Sequence, residues 1–181
     1  IFLLGLLIGV LIAAIGFYYH SYKRENRSGV VSYDQNNDSK PDLFYKYENG
    51  QLLQIEQDSN FDGKIDSWIF YENALPKHGE ADNNYDGQIE TAFFYENGLI
   101  DRVEIDTNLN LEPEIIEYYT NGVIDEIIWI HEKLRTEWKE VKYVRGIKRV
   151  ERIDNDYDGN FDVKNLYNSS ERIIKSEEIK N

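Results

Sequence analysis

The chain has no cysteine, which excludes disulfide bridges, thiolate metal ligands and a lipidated cysteine anchor, and leaves the redox compartment open. Bases are scarce too: 20 Lys and Arg stand against 34 Asp and Glu, a formal charge of -14. No basic stripe is available to neutralise phosphates, so nucleic acid is excluded as a partner. Histidine occurs only at His20, His78 and His131, and none has a serine or acid at the spacing of a known nucleophilic or acid–base motif. There is no glycine-rich phosphate loop either, so each histidine reads as an isolated surface residue and the chain as a non-enzyme.

Charge is missing altogether from the first 19 residues, "IFLLGLLIGVLIAAIGFYY". At ~1.5 Å per residue that run reaches about 28 Å, close to the ~30 Å hydrocarbon core of a bilayer. The expectation is a transmembrane helix or anchor over residues 1–22, with Tyr18, Tyr19, His20 and Tyr22 as an interfacial belt. A juxtamembrane linker, 23–29, comes next with Lys23, Arg24 and Arg27. A cleavable signal peptide is the alternative, and "IAAIG" suits it poorly as a cleavage site. Read alone, the three bases would hold the C-terminal side in the cytoplasm. With no methionine in the chain, residues ahead of Ile1 are expected to have been removed, and the orientation is better read from the domain beyond the linker.

That domain is a repeat. Loops of the form D-x-N-x-D begin at Asp34, Asp58 and Asp82, a D-x-N-x-N version begins at Asp106 and a D-x-D-x-D version at Asp154, all on one constant spacing. The remaining mark of the register, 130, holds Ile130. A tyrosine keeps one offset in all six units, at Tyr47, Tyr71, Tyr95, Tyr119, Tyr143 and Tyr167. Between loops, short stretches rich in aromatic and branched residues are joined by Asn-Gly at 49, 97 and 121, a strong hairpin signal.

The loops carry the chemistry. In "DSNFDGKID" oxygen-bearing side chains fall at positions one, three, five and nine, with Gly63 at six. Calcium is a hard cation that takes six to eight oxygens, and loops of this order supply them. The candidate ligands are Asp34, Asn36, Asp38 and Asp42; Asp58, Asn60, Asp62, Lys64 (by its carbonyl) and Asp66; Asp82, Asn84, Asp86, Gln88 and Glu90; and Asp154, Asp156, Asp158, Asn160 and Asp162. A bare Asp-Gly turn would explain Gly63, Gly87 and Gly159 but would not require oxygens at positions one, three and nine. The Asp106 loop, with Asn110, Leu111 and Pro113, is expected to be empty, which leaves about four calcium sites.

The nine-residue loops resemble the calcium loops of EF-hand-like and thrombospondin type 3 repeats. The twelfth residues, Tyr45, Ile69, Phe93 and Asn165, are not the closing glutamate of an EF-hand, so the resemblance implies weak sites of about 10⁻⁴ to 10⁻³ M. The Tyr-x-Asn-Gly hairpins resemble MORN-type repeats. The start, "IFLLGLLIGV", is similar in rhythm to a type IV pilin helix, although Gly5 stands where pilins usually carry glutamate.

The expected fold is mainly β: an N-terminal transmembrane helix, then an elongated, twisted antiparallel β-meander of six 24-residue hairpin repeats over 30–181, with about thirteen strands. The tyrosines should share one face with Tyr45, Ile69 and Phe93, and the polar residues Lys46, Glu140, Lys142 and Lys164 of the other face should cap the ends. The unit around "IIWIHEKLRTEWKEVKYV" should run as one longer hairpin without metal. Weak calcium sites fill only where calcium is abundant, which puts the repeats in the periplasm or outside the cell. The functional expectation is a membrane-anchored, calcium-stabilised structural or interaction module, an accessory subunit of a larger membrane complex; the alternative is a pilin-like filament subunit. The expected partners are the bilayer through 1–22 and another protein or a second copy.

Overall fold

The computed structural model describes residues 28–179, and the expected membrane segment over 1–22 lies outside them. Among the described residues no helix is long and apolar enough to cross a membrane. All regular structure there is β, in two compact units that divide between Ile89 and Glu90.

The first unit holds five strands: β1 (Gly29–Tyr33), β2 (Leu43–Glu48), β3 (Gln51–Gln57), β4 (Ser67–Glu72) and β5 (Leu75–Ala81). The second holds eight: β6 (Thr91–Glu96), β7 (Leu99–Ile105), β8 (Ile115–Thr120), β9 (Val123–Ile130), β10 (Glu137–Val144), β11 (Ile147–Ile153), β12 (Val163–Tyr167) and β13 (Ile173–Glu178). Within each unit every strand pairs antiparallel with its sequence neighbours, so each is a meander. The expected count of about thirteen strands is met.

Two devices recur in the hairpins. The two-residue turns place both central residues at positive φ, as at Asn97 (φ 51) and Gly98 (φ 83), which matches the right-handed twist of the flanking strands. Two turns break the Asn-Gly rule with the same geometry: Asn73–Ala74 (φ 52 and 63) and Arg145–Gly146 (φ 55 and 74). Just inside each turn the register slips by one residue, always at the register tyrosine. Leu53, Lys77, Asp101, Asp125, Arg149 and Ile174 are the extra residues of these β-bulges.

The tyrosine face is the core face. Leu43, Tyr45, Leu52, Ile55 and Ile69 bury together in the first unit, with Val31, Tyr47 and Tyr71 packed against them. In the second unit Phe93, Tyr95, Val103, Ile115, Tyr119 and Val141 are buried. The fixed tyrosine suits a face that is apolar but bordered by acids. Its ring buries, and its hydroxyl donates to a carboxylate, Tyr119 to Glu117 and Tyr167 to Glu151, both at 2.6 Å.

The residues expected to cap the other face are not simply solvated. Glu140 is buried, with Arg152 at 3.0 Å and Lys142 at 3.2 Å, and Lys142 also reaches Glu126 at 3.1 Å. The degenerate unit runs as the longer hairpin its sequence implies: β9 and β10 reach eight residues each, and the amide of His131 closes the turn on the carbonyl of Thr136 at 2.8 Å.

Candidate functional site

Five loops, beginning at Asp34, Asp58, Asp82, Asp106 and Asp154, share one backbone path. Position four is left-handed in all of them, at Asn37, Phe61, Tyr85, Leu109 and Tyr157, and so is position six, at Ser39, Gly63, Gly87, Leu111 and Gly159. The first carboxylate enforces this path. Asp58 accepts the amides of Asp62 (3.2 Å) and Gly63 (2.7 Å), one on each oxygen. Asp34 does the same for Asp38 and Ser39, Asp82 for Asp86 and Gly87, and Asp106 for Asn110 and Leu111. Asn60 and Asp62 each take the amide two residues on, and Asp66 closes the loop by accepting the amides of Ser59 (2.7 Å) and Asn60 (3.2 Å). Only glycine adopts position six at no steric cost, which is why Ser39 and Leu111 are the strained variants.

The loops are also joined to one another. The amide at position one donates to the carbonyl at position nine of the preceding loop: Asp58 to Asp42, Asp82 to Asp66, Asp106 to Glu90 and Ile130 to Glu114, each at 2.8 Å. Asp154 makes the same 2.8 Å bond to Trp138. The register mark at 130 therefore survives the loss of its aspartate because the backbone amide still has that bond to make.

In the first unit the carboxylates of Asp58, Asp62 and Asp66 close to within 4.8 Å of one another, and in the second unit those of Asp154, Asp156 and Asp162 do the same. In the loop at Asp82 the first carboxylate also accepts the amide of Tyr85 at 2.7 Å, within the first unit. Asp58 is 3% exposed, Asp66 4% and Asp154 1%, so each set is anchored in protein and opens outward through Asp62 or Asp156. No lysine, arginine or histidine among the described residues forms an ion pair with the acids of the Asp58 or Asp154 set. Two charges at that separation repel by roughly 3 kcal/mol at an effective dielectric near 20, less where one is exposed. Burial holds the Asp66 carboxyl above the ordinary range, aided by the charges of Asp58 and Asp62 and opposed by its two backbone amides. Oxygen-only donors, partly buried and without a side-chain cation, fit a hard divalent ion.

The remaining candidates fall differently. Asp34, Asp38 and Asp42 keep the turn hydrogen bonds, and Asp42 accepts the amide of Gln35 at 2.9 Å, but they are not among the sets that close. Asp158 accepts the amide of Asn160 at 2.8 Å and stands outside the Asp154 set. The Asp106 loop has a position-nine acid absent from the sequence candidates, Glu114. Its oxygens are already engaged by Thr107 (2.8 and 3.0 Å) and Asn108 (2.8 Å). Arg135, from the degenerate unit, lies 3.1 Å from Glu112, 3.8 Å from Glu114 and donates to the Pro113 carbonyl at 3.2 Å. A guanidinium is thus ion-paired with the acids of this loop, as no base among the described residues is with the Asp58 or Asp154 set.

Of the histidines among the described residues, His78 pairs with Glu80 at 3.1 Å and stacks on Phe70, while His131 meets the ring of Tyr157 at 4.6 Å.

No protein-family model and no curated protein matches this chain. Among solved structures, it is similar to one of accessory secretory protein 1, 2 and 3 in Streptococcus pneumoniae, at 17% identity and a TM-score of 0.40 over 63% of this chain and 24% of that one. A GtfA/B complex bound to UDP and GlcNAc matches at 10% identity and a TM-score of 0.39, over 56% of this chain and 22% of that one. A second GtfA/B complex matches at 10% identity and a TM-score of 0.33, over 76% and 25%. The chain spans about a quarter of the length of each of these neighbours.

Proposed function

We propose that the chain is a membrane-anchored, calcium-stabilised repeat module that acts as a scaffold or interaction subunit outside the cytoplasm. The observation that carries this reading is the recurrence of one loop, D-x-[ND]-x-D-G-x-x-[DE]. In its copies at Asp58 and Asp154 three acids gather within 4.8 Å, two of them partly or fully withdrawn from water, and no basic side chain among the described residues is ion-paired with them. Asp58, Asp62 and Asp66 in the first unit, and Asp154, Asp156 and Asp162 in the second, would hold the ions. The metal would supply positive charge and a fixed coordination geometry, not chemistry. Location follows from affinity: at ~1 mM calcium and a dissociation constant of ~10⁻⁴ M each site contributes roughly 1.4 kcal/mol to folding, and at cytosolic calcium almost nothing. The apolar run over 1–19 supports the anchor.

The test is calorimetric melting of the full chain in detergent with EDTA, with about 2 mM calcium and with about 2 mM magnesium. Two sites of this strength raise the melting temperature by roughly 5 to 10 °C in calcium. Equal melting in all three buffers would reduce the acids to turn residues.

A further inference from the structure

The degenerate unit leaves a gap on the loop side of the second unit. Where its neighbours carry nine-residue loops, it has the short turn closed by His131 and Thr136, and between the loops beginning at Asp106 and Asp154 an open cleft of about 500 Å³ remains. Two of the chain's three tryptophans, Trp129 and Trp138, line it, with Tyr157 as one wall and Glu132 and Lys133 at the turn. Tyr157 stands edge-on to Trp138, with ring centroids 6.2 Å apart. His131 accepts the amides of Lys133 and Leu134 on Nδ1, both at 3.3 Å, which leaves its ring proton on Nε2 as a hydrogen-bond donor at the cleft.

We infer that this cleft binds a neutral oligosaccharide of two or three rings. The lining is amphipathic in the way a sugar is: partly exposed aromatic faces take the apolar C–H faces of pyranose rings, and the imidazole Nε2–H, Glu132 and Lys133 present donors and acceptors to hydroxyls. Other occupants fit less well. A cationic ligand would seek an indole face, but Lys139 Nζ already sits 4.8 Å over Trp129. An extended peptide would need a free strand edge, and β9 and β10 are paired on both sides. An acidic saccharide meets a chain of net charge -14. The inference goes beyond the cation reading, since the cleft exists because one unit has no acidic loop.

The experiment is to screen the full-length chain, in detergent with calcium, against an array of neutral and acidic oligosaccharides, and to titrate the neutral ones retained by calorimetry. Binding should fall at least tenfold in Trp138→Ala and several-fold in Glu132→Gln, whose exposed side chain leaves folding untouched, while Trp68→Ala in β4 binds as the parent does. Retention of no saccharide, retention of acidic ones alone, or affinity unchanged in both cleft variants would overturn the inference. Melting in EDTA, measured in parallel, tests the cation sites separately.

Discussion

Asp154 Oδ1 accepts the amide of Tyr157 at 2.7 Å, and the ring of Tyr157 lies edge-on to Trp138 at 6.2 Å. One carboxylate is therefore both a candidate cation ligand and the group that fixes the backbone under an aromatic wall. Calcium titration should change the tryptophan emission of the chain, and Trp138→Phe should remove most of that change while Trp68→Phe should not. Emission insensitive to calcium in the parent chain would separate the loop from the wall.

Asp66→Asn should change sign with the buffer. Burial and the charges of Asp58 and Asp62 raise the Asp66 carboxyl, so the folded state holds its proton more tightly than the unfolded chain does. That group then destabilises the fold as pH rises above the usual carboxylate range. In chelator the amide should be neutral or stabilising, whereas in millimolar calcium it should cost about 1.4 kcal/mol through the lost site. Denaturant melts in the two buffers read the crossing.

Arg135→Gln should cost less than about 1 kcal/mol, because its ion pairs are partly exposed. It should also remove the guanidinium beside Glu112 and Glu114, so that the Asp106 loop takes up one additional calcium ion. A stoichiometry by calorimetry equal to the parent's would show that Leu111, not the guanidinium, keeps the loop empty.

Glu151 gives the acid limb. Burial alone would raise it, but hydrogen bonds from Tyr167, Lys148 and Asn165, with the charge of Lys148, bring it down to about 2. A depressed carboxylate contributes stability that is complete above its unfolded value near 4.5 and is lost as pH falls towards 2. Glu151→Gln should cost about 1 to 3 kcal/mol at neutral pH and flatten the decline of stability below pH 4.5.

Ala74 occupies a left-handed position, φ 63, that glycine fills in the equivalent turns at 50, 98, 122 and 146. Ala74→Gly should stabilise the fold by about 1 kcal/mol, a rise of roughly 2 to 4 °C in melting temperature.

The repeat length, the strand count, the hairpins and the loop acids are legible in the spacing, because turn residues and the acids that close the loops are tied to fixed offsets along the chain. The turns Asn73–Ala74 and Arg145–Gly146 are not, since tertiary pairing imposes a geometry their residues do not advertise. The bulges are equally silent: Leu53 and Lys77 carry no glycine or other mark of an extra residue. Glu114 does not stand out, because Leu111 and Pro113 break the pattern of its loop while leaving its oxygens intact. Arg135 answers charges in the preceding unit, at Glu112 and Glu114, and only the fold brings them together.

The joints between loops limit how such a chain can grow or shrink. Each one ties the amide at a register mark to a carbonyl one hairpin earlier, as Asp58 to Asp42 and Asp154 to Trp138, and recurs at every mark from 58 to 154. Excision of a whole unit brings an equivalent amide to the same carbonyl, and duplication of one adds a joint of the same kind. An insertion or deletion of odd length within a strand would strand that amide and turn the tyrosine face outward. A change in the number of units is then tolerated far more readily than a change in the length of any one, and the unit at 130 keeps its full length although it carries no loop acid at its register mark.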